Sequence, residues 1–324
     1  MKKTEIARKY RNQYGIEMPT LKLARIIYAK ENLSFKDVED VRWTLRSIEG
    51  KAGDKKTIVT HEYKERKLNP YKLPESDESS FEPYIIKGFN RLLLFCDIHA
   101  PYHSMSAITA AIEYSKKEKP DCIVINGDLF DFHKLSKYIK EPQKKNFAEE
   151  ISIGCQLLNV LKKQFNTPII FKLGNHDERY QHFLWTKSGE LAGIDDFELE
   201  TIIKKRVSDI TVINDKRIIK AGDLNIVHGH EFATSIMSPV NIARGLYLRA
   251  KANTICGHHH RTSEHTEQNI NGKIVTTWSV GCLSELHPQY MPINSWNHGF
   301  AIIDLHGSKE FEVRNKRIWK GKIL

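Results

Sequence analysis

The sequence predicts an α/β sandwich preceded by a small all-α domain. Two observations predict the sandwich: short apolar segments recur from Arg91 onward and end in Gly or polar residues, and helix-like segments separate the first of them. A third observation predicts the helical domain, since apolar residues in the first 50 positions recur three or four residues apart. With 324 residues, 40% of them hydrophobic, the chain can bury one large core and a smaller appendage.

Apolar spacing in residues 1–50 predicts three short helices, within a basic domain expected to span residues 1–67. Ser34, with Asp37 three residues later, is expected to cap the third helix, and Gly50 is a natural point for it to end. These helices are compatible with a helix-turn-helix-like module that binds DNA and with a bundle that docks a protein. The apolar positions that define them are Ile6, Tyr10 and Tyr14; Leu23, Ile26 and Ile27; and Val38, Val41, Leu45 and Ile48.

The positive charge of the chain is concentrated near its N-terminus. The formal net charge is +10, and residues 1–70 contain 17 Lys or Arg against 10 Asp or Glu. A basic appendage favours a polyanionic partner, because each phosphate that it neutralises releases a counterion. A solvated, lysine-rich surface would give the same counts. Together with the helices, the charge makes nucleic acid the expected partner.

Composition also bears on location. No segment approaches the roughly eighteen consecutive apolar residues of a membrane span, and the start MKKTEIARKY lacks the apolar block of a secretory signal, so we expect a cytoplasmic protein without a membrane partner.

Residues 68–90, LNPYKLPESDESSFEPYIIKGFN, are rich in Pro, Ser, Asp and Glu and are predicted as a linker. The five cysteines lack C-x-x-C spacing and are expected to be buried thiols rather than disulfides. They are Cys96, Cys122, Cys155, Cys256 and Cys282.

Residues 91–324 are predicted as the second, larger domain. Helices are expected over residues 104–117, 147–164 and 240–251, so the domain begins with strand, helix, strand, helix and strand in alternation. The segments predicted as buried strands are RLLLFCD (91–97), DCIVINGD (121–128), TPIIFKLGN (167–175), LNIVHGH (224–230), NTICGHHH (253–260), KIVTTWSVG (273–281) and GFAIIDL (299–305).

Side chains that bind metals follow five of these strands. Each one is weak evidence for a metal site by itself, since an isolated buried histidine is more often a hydrogen-bonded core residue. Their joint occurrence is informative, because ligand crevices in open α/β sheets lie at the carboxyl ends of strands and the groups should converge there. Carboxylates, imidazoles and one amide together suit two first-row divalent ions, with Asp128 as the bridging candidate. The residues are Asp97 and His99; Asp128; Asn175, His176 and Asp177; His228 and His230; and His258, His259 and His260.

The same segments resemble the calcineurin-like metallophosphoesterases. DIH, GDLFD, GNHD, VHGH and GHHH follow the order of the family motifs D-x-H, G-D-x-x-D, G-N-H-D/E, H-G and G-H-x-H. The resemblance extends from Arg91 to the C-terminus and implies a two-sheet sandwich flanked by helices, which makes residues 91–324 a catalytic domain. DIHAPYH, and the pairing of GNHDER with a late SVGCLSELHPQY, are also similar to a branch common in bacteriophage genomes.

The resemblance implies roles for individual residues. His176 takes the position of the proton donor, or general acid, and Asp131 the position that orients it. Phe132 stands where the protein Ser/Thr phosphatase branch has a phosphate-gripping Arg, which disfavours a phosphoprotein substrate. His230 and His259 are neighbours that could displace an assigned ligand. The implied ligands are Asp97, His99, Asp128 and His260 for one metal and Asp128, Asn175, His228 and His258 for the other, with Mn2+ expected and Zn2+, Fe2+ or Ni2+ possible.

This chemistry leads to a mechanistic hypothesis. A hydroxide shared by the two metals attacks phosphorus in line while His176 protonates the leaving oxygen. The cationic side chains nearest in sequence, Arg179, His133 and Lys134, are candidates to bind the substrate phosphate, and Tyr102 and His103 are candidates for the rim of the site.

The sequence is compatible with three functions. The first is a phosphodiesterase that cuts nucleic acid, a nuclease, which the basic N-terminal helices favour. The second is a phosphomonoesterase or a small-nucleotide phosphodiesterase whose N-terminal helices serve assembly. The third is a metal-stabilised DNA-binding scaffold without catalytic activity.

Overall fold

In a computed structural model, the described residues are 2–52, 69, 71–74, 81–136, 146–232 and 240–324. The chain divides into two compact units, Met1–Glu78 and Ser79–Leu324. The division falls inside the segment predicted as a linker, of which residues 68, 70 and 75–80 lie outside the described residues. The later part of that segment contributes a short strand, Tyr84–Ile85, to the second unit.

The first unit contains the three helices that the sequence predicts. They are α1 (Lys3–Tyr14), α2 (Thr20–Glu31) and α3 (Val38–Ile48). Their predicted apolar positions form a separate core, in which the buried side chains include Ile6, Tyr10, Leu23, Ile27, Val41 and Leu45. An independent core explains why these helices pack together, since short helices have little stability alone in water.

The cap of α3 differs from the expected one. Asp37, rather than Ser34, supplies it, because an Asp37 side-chain oxygen accepts a hydrogen bond from the Asp40 N–H at 2.7 Å. Ser34 ends a short 3-10 helix, Asn32–Ser34, one turn earlier. The helix ends close to Gly50, as expected, and Gly50 has a left-handed φ of +67°.

The second unit contains strands and helices in the predicted alternation. The helices are α4 (Met105–Glu118), α5 (Phe147–Phe165), α6 (Glu178–Lys187), α7 (Leu199–Lys204) and α8 (Ile242–Ala250). The strands are β1 (Tyr84–Ile85), β2 (Arg91–Phe95), β3 (Cys122–Asn126), β4 (Ile169–Lys172), β5 (Ile210–Ile213), β6 (Ile219–Ala221), β7 (Leu224–Ile226), β8 (Thr254–Cys256), β9 (Ser263–Gln268), β10 (Ile274–Ser279), β11 (His298–His306), β12 (Glu310–Trp319) and β13 (Lys322–Ile323).

The strands form two sheets, in the orders β13-β12-β11-β2-β3-β4-β5 and β1-β6-β7-β8-β10-β9. All seven predicted strands form, as β2, β3, β4, β7, β8, β10 and β11, and so do the three predicted helices, as α4, α5 and α8. The prediction missed β9 and β12 because both lie half-exposed at the surface, so their polar alternation contains no continuous apolar run.

Alternating side chains of the central strands supply two cores. Leu92, Leu94 and Val124 face the second sheet, whereas Leu93 and Ile123 belong to the cluster that contains apolar residues of α4 and α5. The second unit is therefore the two-sheet sandwich flanked by helices that the resemblance implied. All five cysteines are buried and unpaired, as expected. No described helix is long and apolar enough to span a bilayer.

Strand direction fixes where the sandwich can carry a site. Neighbouring strands β2, β3 and β4 are parallel, and β7 and β8 are parallel in the other sheet. The carboxyl ends of parallel neighbours lie at the same edge of a sheet, so the residues that follow them are brought close together.

Candidate dinuclear metal centre

Two buried carboxylates lie at the centre of the cluster. Asp97 follows β2 and Asp128 follows β3, and both side chains are almost completely removed from solvent. Asp97 Oδ1 is 3.3 Å from His260 Nε2. Asp128 Oδ2 is 3.3 Å from His228 Nε2 and 3.7 Å from His99 Nε2, so this carboxylate lies between histidines from the two sheets. That is the position expected for a bridging ligand.

The remaining predicted ligands surround these carboxylates. Asn175 Oδ1 is 3.2 Å from His228 Nε2, which places the amide on the same side of Asp128 as His228. Three sets of side chains each have donor atoms that all lie within 4.8 Å of one another. They are Asp97, His99 and His260; His99, Asp128 and His176; and Asp128, His228 and His258. With the Asn175 contact, these sets place the seven predicted ligands in one cluster. The second set joins His99 and Asp128 to His176, the predicted general acid, so the division of ligands between two metals stays a prediction.

The donor set fits two divalent cations. Among the described residues, the cationic groups in contact with Asp97 and Asp128 are histidines. Desolvation opposes ionisation of both carboxyls, but the surrounding histidines lower the pKa of Asp97 and of Asp128. Desolvation and His228 lower the pKa of His258 to about 3, so this imidazole is neutral at pH 7 and free to bind a metal. Against desolvation, Asp128 raises the pKa of His228 to about 10 and Asp97 raises the pKa of His260, so both carboxylates require positive charge beside them. Two divalent ions held by the same side chains would supply that charge.

The backbone at the ligands is strained. A positive φ near +50° to +65° is unfavourable for a side chain with a Cβ, and such residues cluster at functional sites. Five of the seven predicted ligands adopt it: Asp97 (53°), His99 (50°), Asp128 (53°), His258 (65°) and His260 (54°). The surrounding sandwich holds these residues in place at a cost in conformational energy, as expected for a site selected for its geometry.

Glycines next to the ligands allow the close approach of the strand ends. A Cβ atom at Gly174 would lie 2.2 Å from Asp128 Oδ1, and one at Gly127 would lie 2.1 Å from His228 Nδ1. Gly257 approaches Asp97 in the same way, with its Cβ position 2.6 Å from Oδ2. At these three positions, Gly is therefore required by packing against a ligand from another strand.

Asp131 holds two histidines of the cluster. Its Oδ1 is 3.1 Å from His176 Nδ1 and 3.1 Å from His99 Nδ1. Despite its burial, hydrogen bonds to His176 and His99 hold the pKa of Asp131 far below its usual value. The structure places Asp131 where the resemblance has the residue that orients His176, and gives it a second contact with a predicted metal ligand.

The three predicted phosphate-binding cations differ in their positions. Arg179 lies in the site, since its Nη1 donates to the Asp131 carbonyl at 2.7 Å and its Nη2 is 3.1 Å from His176 Nε2. His133 Nδ1 is 4.0 Å from Asp131 Oδ2, at the edge of the cluster. Lys134 is half-buried in the short 3-10 helix His133–Leu135. Of the three, Arg179 is therefore the best placed to meet a substrate phosphate.

The rim residues and the extra histidines have distinct positions. The ring of Tyr102 is 6.5 Å from that of His133, and His103 forms a β-bridge with Ser284, so both border the cluster as expected. His230 Nε2 lies 3.0 Å from Glu178 Oε1. His259 packs on the His258 ring at 4.9 Å. Neither His230 nor His259 belongs to a ligand set among the described residues, which favours the assigned ligands over these two neighbours.

The model of the family described as Calcineurin-like phosphoesterase matches residues 91–262, just over half of the chain. The chain belongs to this family. The phosphoesterase is similar to the Gene 54 proteins of Mycobacterium phage L5, with 26% identity over 67% of this chain and 89% of the relative, and of Mycobacterium phage D29, with 24% identity over 67% and 90%. A solved structure of Vps29 from Entamoeba histolytica covers 72% of this chain and 96% of its own at 13% identity, with a TM-score of 0.39. The solved structure of Yfce, a phosphoesterase from E. coli, covers 66% of this chain and 88% of its own at 15% identity, with a TM-score of 0.35.

Asp177, one of the candidate metal-binding side chains at the strand ends, contacts backbone N–H groups. This fully buried carboxylate of the phosphoesterase accepts three backbone hydrogen bonds. Its Oδ2 accepts from Asp128 N–H and Gly174 N–H, each at 2.8 Å, and its Oδ1 accepts from Phe130 N–H at 3.0 Å. Asp177 therefore ties the loop after β3 to the loop after β4 and fixes the backbone of the bridging Asp128.

A buried ion pair that the sequence did not reveal holds His228 in place. Lys172, the last residue of β4, is completely buried, and its Nζ is 2.9 Å from Glu231 Oε1. Glu231 in turn accepts hydrogen bonds from the backbone N–H of His228 at 2.9 Å and of Gly229 at 2.6 Å. The sequence did contain a sign of this pair. Lys172 follows Ile170 by two residues in an apolar strand, so it points to the same side as Ile170, toward the second sheet.

The glycine contacts lead to the first prediction. Gly174→Ala should displace Asp128 and lower the bound metal, because its new methyl group would occupy the position of Asp128 Oδ1. Gly189→Ala is the matched control, since Gly189 has open space around its Cβ position. Metal content per chain, measured by elemental analysis after dialysis, should fall for Gly174→Ala alone. Equal metal content in the two variants would contradict the packing argument.

A second prediction concerns the buried pair. Glu231→Ala removes the acceptor for two N–H groups and leaves the buried Lys172 ammonium without its carboxylate partner, although its Nζ still donates to the Arg217 carbonyl at 2.7 Å. The change should lower the free energy of unfolding by about 3–5 kcal/mol. The control is Glu200→Ala, which breaks the exposed Glu200–Lys204 pair and should cost about 0–1 kcal/mol. Urea denaturation measures both. A cost for Glu231→Ala no larger than that of the control would show that the pair does not hold the loop.

Proposed function

We propose that this phosphoesterase is a metal-dependent phosphodiesterase that cleaves nucleic acid. The observation that supports this substrate is the basic helical unit in the same chain as the phosphoesterase site. Residues 2–52 contain 12 Lys or Arg and 7 Asp or Glu, and they fold with their own core. An independent unit with this charge is suited to binding a polyanion.

One face of α3 has the side chains for such binding. Trp43 is 60% exposed, and Arg46 lies one turn further on the same side of the helix, also exposed. Arg42 is partly exposed and pairs with Glu39 at 3.2 Å. Exposed arginine next to an aromatic ring can contact phosphates and stack on bases, so this face supports the proposal.

The catalytic proposal rests on the residues around His176. When bound, two divalent ions would activate a water molecule and offset charge on the phosphate. The hydrogen bond from His176 Nδ1 to Asp131 fixes the orientation of the imidazole ring. Its other nitrogen, Nε2, then faces outward as the donor to the leaving oxygen, the role proposed for the general acid.

Arg179 sets the protonation state of that nitrogen. Because a guanidinium group only donates, the 3.1 Å contact from Arg179 Nη2 makes His176 Nε2 an acceptor and places the imidazole proton on Nδ1. For His176 to donate a proton from Nε2, Arg179 must turn away and Nε2 must first take up a proton from solvent, which gives an imidazolium with one proton on each nitrogen. A bound phosphate would attract the guanidinium by charge and bidentate geometry. We infer that Arg179 binds the substrate phosphate and thereby frees His176 to act as the acid.

The acid role of His176 leads to the third prediction. His176→Ala should reduce kcat by about a hundred- to ten-thousand-fold on a dinucleotide, whose alkoxide leaving group needs a proton. The loss should be much smaller on an aryl phosphodiester, because nitrophenolate leaves without protonation. Metal content should be measured in parallel, since His176 lies near Asp128. Equal losses on the two substrates would contradict the acid role.

The N-terminal unit leads to the fourth prediction. The double variant Trp43→Ala/Arg46→Ala should raise KM for single- or double-stranded DNA while leaving bis-aryl phosphate hydrolysis unchanged, because a polymer offers α3 further phosphates and bases to bind and a bis-aryl phosphate offers none. Lys309→Ala, which removes an exposed charge from the second unit, is the control. Rates with Mn2+ on both substrates provide the comparison.

The same assay separates the alternative functions. A mono-aryl phosphate completes the set of substrates. Hydrolysis of the monoester alone would replace the proposal with a phosphomonoesterase. DNA binding without any hydrolysis by the metal-loaded protein would indicate a non-catalytic scaffold.

A further inference from the structure

A loop between β10 and β11 is fixed to the metal centre at both of its ends. At its start, Leu283 N–H donates to the Asp97 carbonyl at 3.1 Å, and at its end Asn297 N–H donates to the His260 carbonyl at 2.9 Å. Both acceptors belong to predicted metal ligands. Residues 284–296 are therefore held at the site although the mechanism gives them no role.

This loop presents aromatic rings next to the cluster. The Trp296 ring lies 4.1 Å from the His260 ring at an interplanar angle of 62°. The Tyr290 ring lies 6.4 Å from that of Trp296 at 63°. Tyr290 is 66% exposed and Ile293 is 94% exposed, so the loop keeps a large ring and an apolar side chain in solvent beside a polar site. Exposed apolar groups of this kind mark a binding surface.

Trp296 connects Tyr290 to the metal centre, because the Trp296 ring contacts both the His260 ring and the Tyr290 ring. Desolvation and then the Asp131 carboxylate raise the pKa of Tyr290 to about 12, while Arg179 opposes the increase. Arg179 is the residue proposed to bind the substrate phosphate. A group attached to that phosphate would therefore lie near Tyr290, with the exposed part of the ring available to it.

We propose that Tyr290 and Trp296 form a subsite that stacks a nucleobase attached to the scissile phosphate. The proposal rests on the nucleic-acid substrate proposed above. Two rings inclined to each other provide a flat surface with an edge beside it, which suits a planar aromatic group. Every base has a π face, so such a subsite would hold the polymer in position without reading its sequence. An alkyl substituent would gain only apolar contact there and is the competing occupant.

The test compares a dinucleoside monophosphate with its analogue that lacks one base, both assayed with Mn2+ on the full-length protein. The readout is the ratio of their kcat/KM values. Tyr290→Leu should reduce this ratio by about 5- to 150-fold, the loss expected for one stacked base. Tyr290→Phe keeps the ring and should preserve the ratio. Trp319→Leu, which changes an exposed tryptophan at the end of β12, is the control and should also preserve it.

Three results would overturn the proposal, and they differ from one another. If Tyr290→Leu preserves the ratio, the subsite accepts any apolar group and stacking is wrong. If the ratio is near 1 for the unmodified protein, the base makes no contact while cleavage of nucleic acid stands. If neither dinucleotide is cleaved but an aryl monoester is, the proposed substrate fails and the subsite fails with it. Trp296 is kept unchanged, because a substitution would remove its contact with His260 and perturb the metal centre.

Discussion

The burial of two carboxylates, Asp97 and Asp128, at the ends of adjacent parallel strands is the constraint on which the site depends. Two anions close together inside a protein are costly unless cations compensate them. The fold meets this cost by bringing histidines from the second sheet to the same edge, where they contact both carboxyls. The cluster can therefore bind metal only while the two sheets remain packed, which links metal binding to the stability of the sandwich.

Backbone features, more than side chains, set the geometry of this centre. Five predicted ligands have left-handed φ values, and glycines at 127, 174 and 257 leave no room for a methyl group against a ligand. Two buried acids then hold the loops: Asp177 ties the ends of β3 and β4 together, and Glu231 anchors the backbone of His228. These hydrogen bonds offset the conformational strain at the ligands. They also satisfy buried polar groups, which would destabilise the fold if they were left unpaired.

Residues around the metal centre support the proposed substrate. Arg179 contacts both the proposed acid and the residue that orients it, so the proposed phosphate binding would be coupled to the proposed proton transfer through one side chain. The loop with Tyr290 and Trp296 borders the same space and is hydrogen-bonded to two ligand residues. This arrangement suits a phosphodiester with an aromatic substituent. It also agrees with the basic helical unit, whose charge favours a polyanion.

The sequence by itself determined the α/β sandwich and the three N-terminal helices. It also predicted seven metal ligands, because each follows a strand whose apolar run is visible in the chain. It could not reveal β9 or β12, whose exposed faces break the apolar pattern, or Asp37 as the cap of α3 in place of Ser34. Only the tertiary structure decided which histidines enter the cluster, since His230 and His259 have the same local context as their neighbours. It alone revealed the Lys172–Glu231 pair and the ring contacts that link Tyr290 and Trp296 to His260, because they depend on sheet packing and loop path.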